Sequence, residues 1–304
     1  NEDGLLGFDA SPYDHFMISY VNKDRVLIFE KYYYSGDFKN ITSSEILIQE
    51  QNNTGVHYGG DVLWSDHYDN YIISIGDFAS ASSNAIYNTR PIDTTVYPGK
   101  VILLDDADII KNIPHTGNKE SLPKKNILAY GFRNPWKLSE FRNYLMIFDV
   151  GMNVYEELNI IKYDDKSKYF GWPYFEGIKT TSDIYNDIDY DLGSKISIYD
   201  SKYENLESFV LDNSTFPKFT YTHVPGPRSA IIGGDVFDNF NSKYNFNVFF
   251  TDFISEEIMS YNITNNEVNL FPIENIWGLT SLIIYNEQIV VSTLSGEIIF
   301  ITLP

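Results

Sequence analysis

Two short motifs carry the side chains most able to do chemistry in this chain. His57 opens the sequence His-Tyr-Gly-Gly (residues 57–60), and Arg133 and Asn134 stand within Gly-Phe-Arg-Asn-Pro (residues 131–135). Each motif directly precedes a short apolar run that is typical of a β-strand. If those strands line the axis of a repeated β architecture, the imidazole, the guanidinium and the amide meet at one end of that axis. Such a group could take a proton from a substrate and hold an anion.

The composition favours strands as the elements that position these side chains. Of the 304 residues, 43% are hydrophobic and 16% aromatic, with 24 Tyr and 21 Phe, and aromatic residues are enriched in strands. No long window keeps apolar residues at helical spacing. The sequence therefore predicts an all-β protein with a sizeable core.

Charge and cysteine content exclude several classes of function. The chain has 22 basic and 42 acidic residues, a net charge of −20, which argues against nucleic acid or an anionic membrane as the main partner. It has no cysteine, so neither a disulfide framework nor thiol chemistry is available. No apolar run approaches the roughly 18 residues of a spanning helix, so we expect no membrane insertion.

A repeated pattern organises the chain. Five segments each show a polar or glycine-containing start followed by successive apolar strands, and four of them have a plausible fourth strand, at residues 45–49, 126–130, 218–221 and 268–272. Four-stranded antiparallel units at irregular spacing are typical of a β-propeller, whereas a β-sandwich explains five repeats of the same internal order less well. We predict a single propeller domain over residues 1–304, with blades near residues 4–50, 56–130, 134–222, 229–273 and 278–304. The segments 78–98 and 177–216 are too polar and irregular for the core and are predicted to be insertions.

The two ends of the pattern suggest an incomplete ring. The last unit supplies only three strands, and the chain begins with Asn1 shortly before the first strand. We therefore expect that an N-terminal blade and a closing strand are missing, and that another chain or segment completes the propeller.

In a propeller, the residues just before each inner strand lie on one rim, and the loops after the second strands reach the same face. This predicts a common funnel mouth. Its members are Glu2, Asp3, His57, Arg133, Asn134, Arg228, Ser229 and Trp277 from the first set, and Asp77, residues 149–153 and Asp252 from the second.

The order of motifs along the chain resembles one family. The motifs are Gly-Leu-Leu-Gly-Phe (4–8), His-Tyr-Gly-Gly (57–60), Ser-Ile-Gly-Asp (74–77), Gly-Phe-Arg-Asn-Pro-Trp (131–136), Asp-Val-Gly (149–151), Gly-Trp-Pro (171–173) and Tyr-Thr-His (221–223). Together they resemble the soluble quinoprotein glucose and aldose sugar dehydrogenases, the glucose/sorbosone dehydrogenase family, and its hedgehog-interacting-protein-like relatives. The resemblance implies a six-bladed propeller, of which this chain holds about five blades. It also implies an extracellular or periplasmic location.

The resemblance further implies pyrroloquinoline quinone (PQQ) and Ca²⁺ as cofactors, and oxidation of an aldose at the anomeric carbon to a lactone. His57 matches the general base that takes the sugar hydroxyl proton, and Arg133 and Asn134 match cofactor contacts. Gly151 and Met152 match the residues whose carbonyl oxygens bind the Ca²⁺ ion.

The chain departs from the family in its cations. The stretches 253–257 and 277–280, where the glucose dehydrogenases carry a lysine and an arginine pair for the PQQ carboxylates, contain no basic residue. Arg228, just before an inner strand, could replace one missing charge. We also predict that Asp77 and Trp277 contact the substrate, a small-molecule sugar.

Each signal has a simpler alternative. His57 could be a structural loop histidine, and His223 is expected to be structural. Arg133 and Asn134 could lock a loop before Pro135, and Trp172 is expected to pack rather than bind. The acidic run at residues 187–193 is expected to be a solvated insertion and not a calcium loop. The alternative function is a non-catalytic propeller that binds a glycan or a protein on the same rim.

Overall fold

The structure is a computed structural model. It describes residues 2–36, 38–79, 88–104, 126–165, 167–181, 184, 206–224, 226, 228–238, 242–273 and 275–302. The acidic run at 187–193 lies outside the described residues. The described part of the chain contains no helix with the length and hydropathy of a membrane span.

The described residues form five mainly antiparallel sheets, one for each blade, and a separate two-stranded pair. The first contains β1 (Gly4–Ala10), β2 (His15–Val21), β3 (Val26–Ser35) and β4 (Asn40–Gln51). The second contains β5 (Gly59–Ser65), β6 (Asn70–Ile75), β7 (Lys100–Leu103) and β8 (Ile127–Tyr130), and the third contains β9 (Pro135–Phe141), β10 (Tyr144–Asp149) and β11 (Tyr155–Lys162). The short strand β12 (Lys168–Tyr169) runs parallel to β8, β13 (Phe175–Glu176) pairs with β14 (Lys179–Thr180), and helix α1 covers Leu206–Asn213. β15 (Phe219–Thr222) completes the third sheet.

The fourth sheet contains β16 (Ile231–Phe237), β17 (Asn247–Asp252), β18 (Glu257–Asn262) and β19 (Val268–Pro272). The fifth contains β20 (Leu279–Tyr285), β21 (Gln288–Thr293) and β22 (Ile298–Ile301). The first strands of consecutive sheets contact each other in the order β1, β5, β9, β16 and β20, as expected for blades arranged around an axis. The all-β propeller is thus confirmed, with five blades rather than six among the described residues. A sixth blade supplied from elsewhere stays a prediction.

Buried apolar side chains fill each space between neighbouring blades, because both faces of a blade must be covered to remove apolar area from water. Four such clusters join the five blades in series. Examples are Phe29 with Ile73 between the first and second blades, Val101 with Leu145 between the second and third, Phe148 with Phe250 between the third and fourth, and Phe249 with Leu282 between the fourth and fifth.

Aspartates on inner strands link one blade to the next. Each accepts a hydrogen bond at one carboxylate oxygen from a backbone amide on the following inner strand. The pairs are Asp9 with Trp64 (2.7 Å), Asp61 with Leu138 (2.7 Å) and Asp235 with Ile284 (3.0 Å). These bonds fix the inner strands relative to one another, and so they fix the loops that those strands carry.

The segments 78–98 and 177–216, predicted to be insertions without core residues, contribute to the core in part. Phe78 is 1% exposed and its ring packs against that of Tyr58. On α1, Val210 is buried in a cluster with Tyr169 and Phe175. The prediction was wrong at these positions because isolated apolar residues in a polar segment give no periodic signal.

Candidate functional site

Equivalent positions of neighbouring blades bring the predicted catalytic side chains together. His57 lies two residues before β5 and Asp77 two residues after β6, whose adjoining ends pair in one ladder. Arg133 lies two residues before β9 of the next blade. His57 has a left-handed backbone (φ 56°), and a Cβ at Gly76 would collide with its carbonyl oxygen, so this tight loop requires glycine there.

The imidazole of His57 lies between a carboxylate and a guanidinium. Its Nδ1 is 2.9 Å from Oδ1 of Asp77, and its Nε2 is 2.8 Å from a terminal nitrogen of Arg133. Since the guanidinium can only donate, Nε2 is the acceptor and Nδ1 carries the proton that it donates to Asp77. All three side chains are buried. The predicted meeting of imidazole and guanidinium is confirmed.

Trp172 contacts Asp77 and Arg133, the two partners of His57. Its indole N–H donates to Oδ2 of Asp77 at 2.8 Å, and its ring faces the guanidinium of Arg133 at 5.9 Å. Sequence reasoning assigned this tryptophan to packing and missed the contact with Asp77. The available signal was general: a buried indole N–H usually requires an acceptor.

Arg133 and Asn134 also bind backbone groups, Arg133 within the third blade and Asn134 on the second. Arg133 donates to the carbonyl oxygens of Val150 (2.9 Å) and Gly151 (2.7 Å), while its Nε is buried with no partner among the described residues. The side-chain oxygen of Asn134 accepts from the amide of Gly59 at 2.8 Å. The loop-locking alternative therefore applies to the Asn134 oxygen, and its role in cofactor binding stays a prediction.

The loop that contains the predicted calcium ligands is held by one carboxylate. Oε1 of Glu176 accepts from the four consecutive amides of residues 152–155 at 2.8–3.0 Å. Met152 therefore uses its amide here, and the carbonyl of Gly151 already accepts from Arg133. Nearby, Oε2 of Glu176 and Oδ1 of Asn159 are buried acceptors that lack a donor in the described part of the chain. The described residues contain no group of three or more His, Asp or Glu side chains placed to hold a metal.

Several carboxyl groups under the funnel mouth have raised pKa values, because burial removes their hydration. Burial raises the pKa of Asp149 to about 7, against the opposing effect of the amides of Arg133 and Asn134. It raises the pKa of Glu157 well above its usual value, and the Asp149 carboxylate adds to this.

A second carboxylate–histidine pair lies between the third and fourth blades. His223 Nε2 is 2.7 Å from Oε1 of Glu156, and Oε2 of the same carboxylate accepts from the amide of Ile231 at 3.0 Å. Burial raises the pKa of Glu156 to about 7, opposed by His223. The pKa of His223 is raised: burial, its largest influence, lowers the pKa, but the hydrogen bond that the ring donates to Glu156 and the nearby carboxylates outweigh it. The pair supports the structural reading of this histidine.

The remaining predicted residues are placed less centrally. Arg228 donates through two nitrogens to Oε2 of Glu257, at 2.7 and 3.1 Å, so its charge is already paired. Asp77 is fully buried by His57 and Trp172, and its predicted contact with substrate stays a prediction. Trp277 is 66% exposed on the fifth blade.

Comparison with curated proteins finds two Arabidopsis thaliana relatives. The HIPL2 protein is 32% identical to this chain over 40% of the chain and 19% of the relative, and the HIPL1 protein is 29% identical over the same shares. The matched region thus spans about a fifth of each relative. No family model matches the chain.

Comparison with solved structures finds the same fold in soluble sugar dehydrogenases. The PQQ-bound aldose sugar dehydrogenase of Streptomyces coelicolor matches with a TM-score of 0.65 and 14% identity, covering 96% of this chain and 74% of that one. A glucose dehydrogenase matches with a TM-score of 0.70, 15% identity, and coverage of 100% and 84%. The aldose sugar dehydrogenase of Escherichia coli in its apo form matches with a TM-score of 0.65, 17% identity, and coverage of 96% and 79%.

At these identities the structural matches establish the fold, and the HIPL matches add sequence similarity over part of the chain. The resemblance predicted from the order of motifs, to the soluble sugar dehydrogenases and their hedgehog-interacting-protein-like relatives, is confirmed by both comparisons.

Proposed function

We propose that this protein is a PQQ- and Ca²⁺-dependent oxidoreductase that oxidises the anomeric hydroxyl of an aldose to a lactone. The observation that carries the proposal is the Asp77–His57 pair, which leaves Nε2 of His57 as a proton acceptor beside the guanidinium of Arg133. A location outside the cytoplasm, as the resemblance implies, is part of the proposal.

In this reaction His57 accepts the hydroxyl proton at Nε2, and Asp77 stabilises the imidazolium that forms. Since Arg133 donates to Nε2 at 2.8 Å, a substrate hydroxyl must replace that donor before proton transfer. The displaced guanidinium then lies beside the sugar oxygen, where its charge stabilises developing negative charge. When bound, PQQ supplies the hydride acceptor.

The residues present fit one end of the quinone, and they fit the Ca²⁺ ion. The unpartnered Nε of Arg133 offers a buried donor, and the carbonyl oxygens of Gly151 and Met152 are ligands of the kind that Ca²⁺ prefers. The donor-free Oε2 of Glu176, whose Oε1 binds the amides of residues 152–155, adds a carboxylate oxygen beside this loop, which favours a divalent cation.

At the other end of the quinone, we assign the positive charge that its carboxylates require to Arg228. Its pair with Glu257 is partly exposed, at 22% and 30%, and such pairs contribute only about 0–1 kcal/mol, so Arg228 can exchange Glu257 for a ligand carboxylate. With so few cations, we expect PQQ to bind only when Ca²⁺ is present.

A second candidate is a non-catalytic propeller that binds a glycan or protein on the same rim. The observation in its favour is that most hydrogen-bond donors of the site are satisfied without a bound anion. The terminal nitrogens of Arg133 already have acceptors within the protein, and Nε and one terminal nitrogen of Arg228 both donate to Glu257.

Titration of the apo protein with PQQ and Ca²⁺, followed by dye reduction with a panel of aldoses, separates the two candidates. We expect activity that depends on both additions, and a loss of about 100-fold or more in His57→Ala, the range for removal of a general base. His67→Ala, an exposed histidine on the same blade, is the matched control and should keep full activity. No spectral change and no dye reduction with any aldose would leave the non-catalytic candidate.

A further inference from the structure

The fifth blade repeats the backbone arrangement that positions the catalytic pair, with different side chains. Trp277 lies two residues before β20 and Ser295 two residues after β21. In the second blade, His57 and Asp77 occupy the corresponding places relative to β5 and β6. Trp277 and Ser295 therefore lie on the same face of the propeller as His57, with two blades between them in chain order.

A cavity of about 290 Å³ opens at this position. This volume lies just below the range of ligand pockets, about 300–1,000 Å³, and suits one small ring. Trp277 and Leu294, each 66% exposed, line the cavity together with the partly buried Ile276 and Ile299.

The polar part of the lining is pre-ordered. The hydroxyls of Thr293 and Ser295 are 2.8 Å apart, and the Ser295 hydroxyl donates to Oε2 of Glu297 at 3.0 Å. Asn275, two residues before Trp277, adds an exposed amide. Hydroxyl, amide and carboxylate groups thus line one small cavity together with an indole.

This combination matches the chemistry of a neutral sugar. The C–H face of a pyranose packs on an exposed aromatic ring, while its hydroxyls exchange hydrogen bonds with amides and carboxylates. The lining contains one carboxylate, Glu297, and no basic side chain, so it disfavours anions such as uronic acids or phosphosugars.

We propose that this cavity is a second carbohydrate subsite, in which Trp277 stacks on one neutral sugar unit of a ligand. Two subsites on one face bind successive parts of a chain more tightly than either part alone. The ligand class is therefore a neutral oligosaccharide or glycan rather than a free monosaccharide. The assignment of this ligand class as the substrate extends the proposed function and rests on it. Sugar binding at Trp277, by contrast, does not require that the protein is an enzyme.

The test is calorimetric titration of the whole protein with neutral gluco-, manno- and chito-oligosaccharides of one to six units. We expect affinity to rise with length for at least one series, and Trp277→Ala to weaken binding of the longer members about tenfold or more. Tyr285→Ala, which removes a 58% exposed aromatic residue of β20 outside the cavity, is the matched control and should bind as the parent does.

His57→Ala separates this inference from the proposed function. If it abolishes dye reduction yet keeps Trp277-dependent binding, both proposals stand. Trp277-dependent binding without turnover in the parent protein would overturn the oxidoreductase and keep the subsite. Equal binding by the parent and Trp277→Ala, tighter binding of the matching uronic-acid oligomers, or no binding by any neutral series would overturn the subsite.

Discussion

At the scale of single residues, the chemistry depends on which nitrogen of His57 keeps its lone pair. Asp77 fixes the proton on Nδ1, and the carboxylate is itself held by the Trp172 indole at Oδ2 and by the amide of Ala79 at Oδ1, each at 2.8 Å. Because three donors converge on one buried carboxylate, its position is over-determined. The basic nitrogen is therefore directed at Arg133 before any substrate binds.

Replacing Asp77 with asparagine should disturb this arrangement without changing the volume of the side chain. The amide can no longer stabilise an imidazolium, and its NH₂ group would face a donor. We expect kcat/KM for aldose oxidation to fall about 100-fold or more, and the ¹⁵N–¹H spectrum of the His57 ring to show a changed tautomer. Unchanged turnover together with an unchanged ring spectrum would remove Asp77 from the mechanism.

Sequence alone could predict the meeting of His57 and Arg133, because both precede inner strands and repeated blades place such positions on one rim. It could not predict the contact of Trp172 with Asp77 or that of Glu176 with residues 152–155. These contacts come from an irregular stretch after β11, where no periodicity indicates which loop will be contacted.

At the scale of elements, the third blade concentrates acidic groups at the ends of its strands. Asp149 ends β10, while Glu156 and Glu157 lie near the start of β11. Removing a carboxylate from water costs free energy that hydrogen bonds offset only in part, and burial raises the pKa of all three groups. The blade is therefore built to respond to protons and to cations.

The stability of the apo protein should fall as the pH rises. The folded-state pKa values of Asp149 and Glu156, about 7, exceed their ordinary values of 3.8 and 4.5, so the folded protein keeps protons that the unfolded chain releases in this window. Their contribution to stability is full below about pH 4 and is lost as the pH rises through about 7. The raised pKa of His223 acts in the same direction.

We expect the Tm without metal to be several degrees lower at pH 8 than at pH 5, and Ca²⁺ to restore more of it at pH 8 than at pH 5. Thermal denaturation at both pH values measures this, with Mg²⁺ as the comparison ion and Glu156→Gln as the variant that should flatten the pH dependence. A Tm that rises from pH 5 to pH 8 in the absence of Ca²⁺ would contradict the expectation.

The strand positions predicted from the sequence agree closely with the structure, whereas the predicted strand lengths agree less well. β19 was predicted at its observed bounds, whereas β4, predicted at residues 45–49, extends over Asn40–Gln51. Residues 40–44 of β4 pair with residues 32–35 of β3, and Tyr32 also stacks on Phe16 of β2 with the ring centroids 5.2 Å apart. Such cross-strand packing depends on the partner strand, so a single run of residues does not reveal it.

At the scale of the whole molecule, the blades contact one another in series, and the described residues leave apolar faces of the first and last sheets uncovered. Leu5 and Phe8 on β1 are 68% and 53% exposed, while Ile298 and Phe300 on β22 are 68% and 58% exposed. Every interface between neighbouring blades is filled by buried apolar clusters of the kind that these faces lack. The two faces are consistent with our proposal that a further blade, supplied by another segment or chain, completes a six-bladed ring.

The 304-residue chain should therefore expose these faces in solution, because contiguous apolar area of this kind promotes association. We expect a concentration-dependent rise in apparent mass by sedimentation and strong binding of the dye ANS. The double substitution Ile298→Lys with Phe300→Lys should reduce both, since it places charge on one face while leaving the inner strands intact. Leu211→Lys, at a 62% exposed position on α1, adds the same kind of charge elsewhere and should leave both unchanged. A chain that stays monomeric and binds no dye at high concentration would show that the end faces are already covered, and the incomplete ring would have to be abandoned.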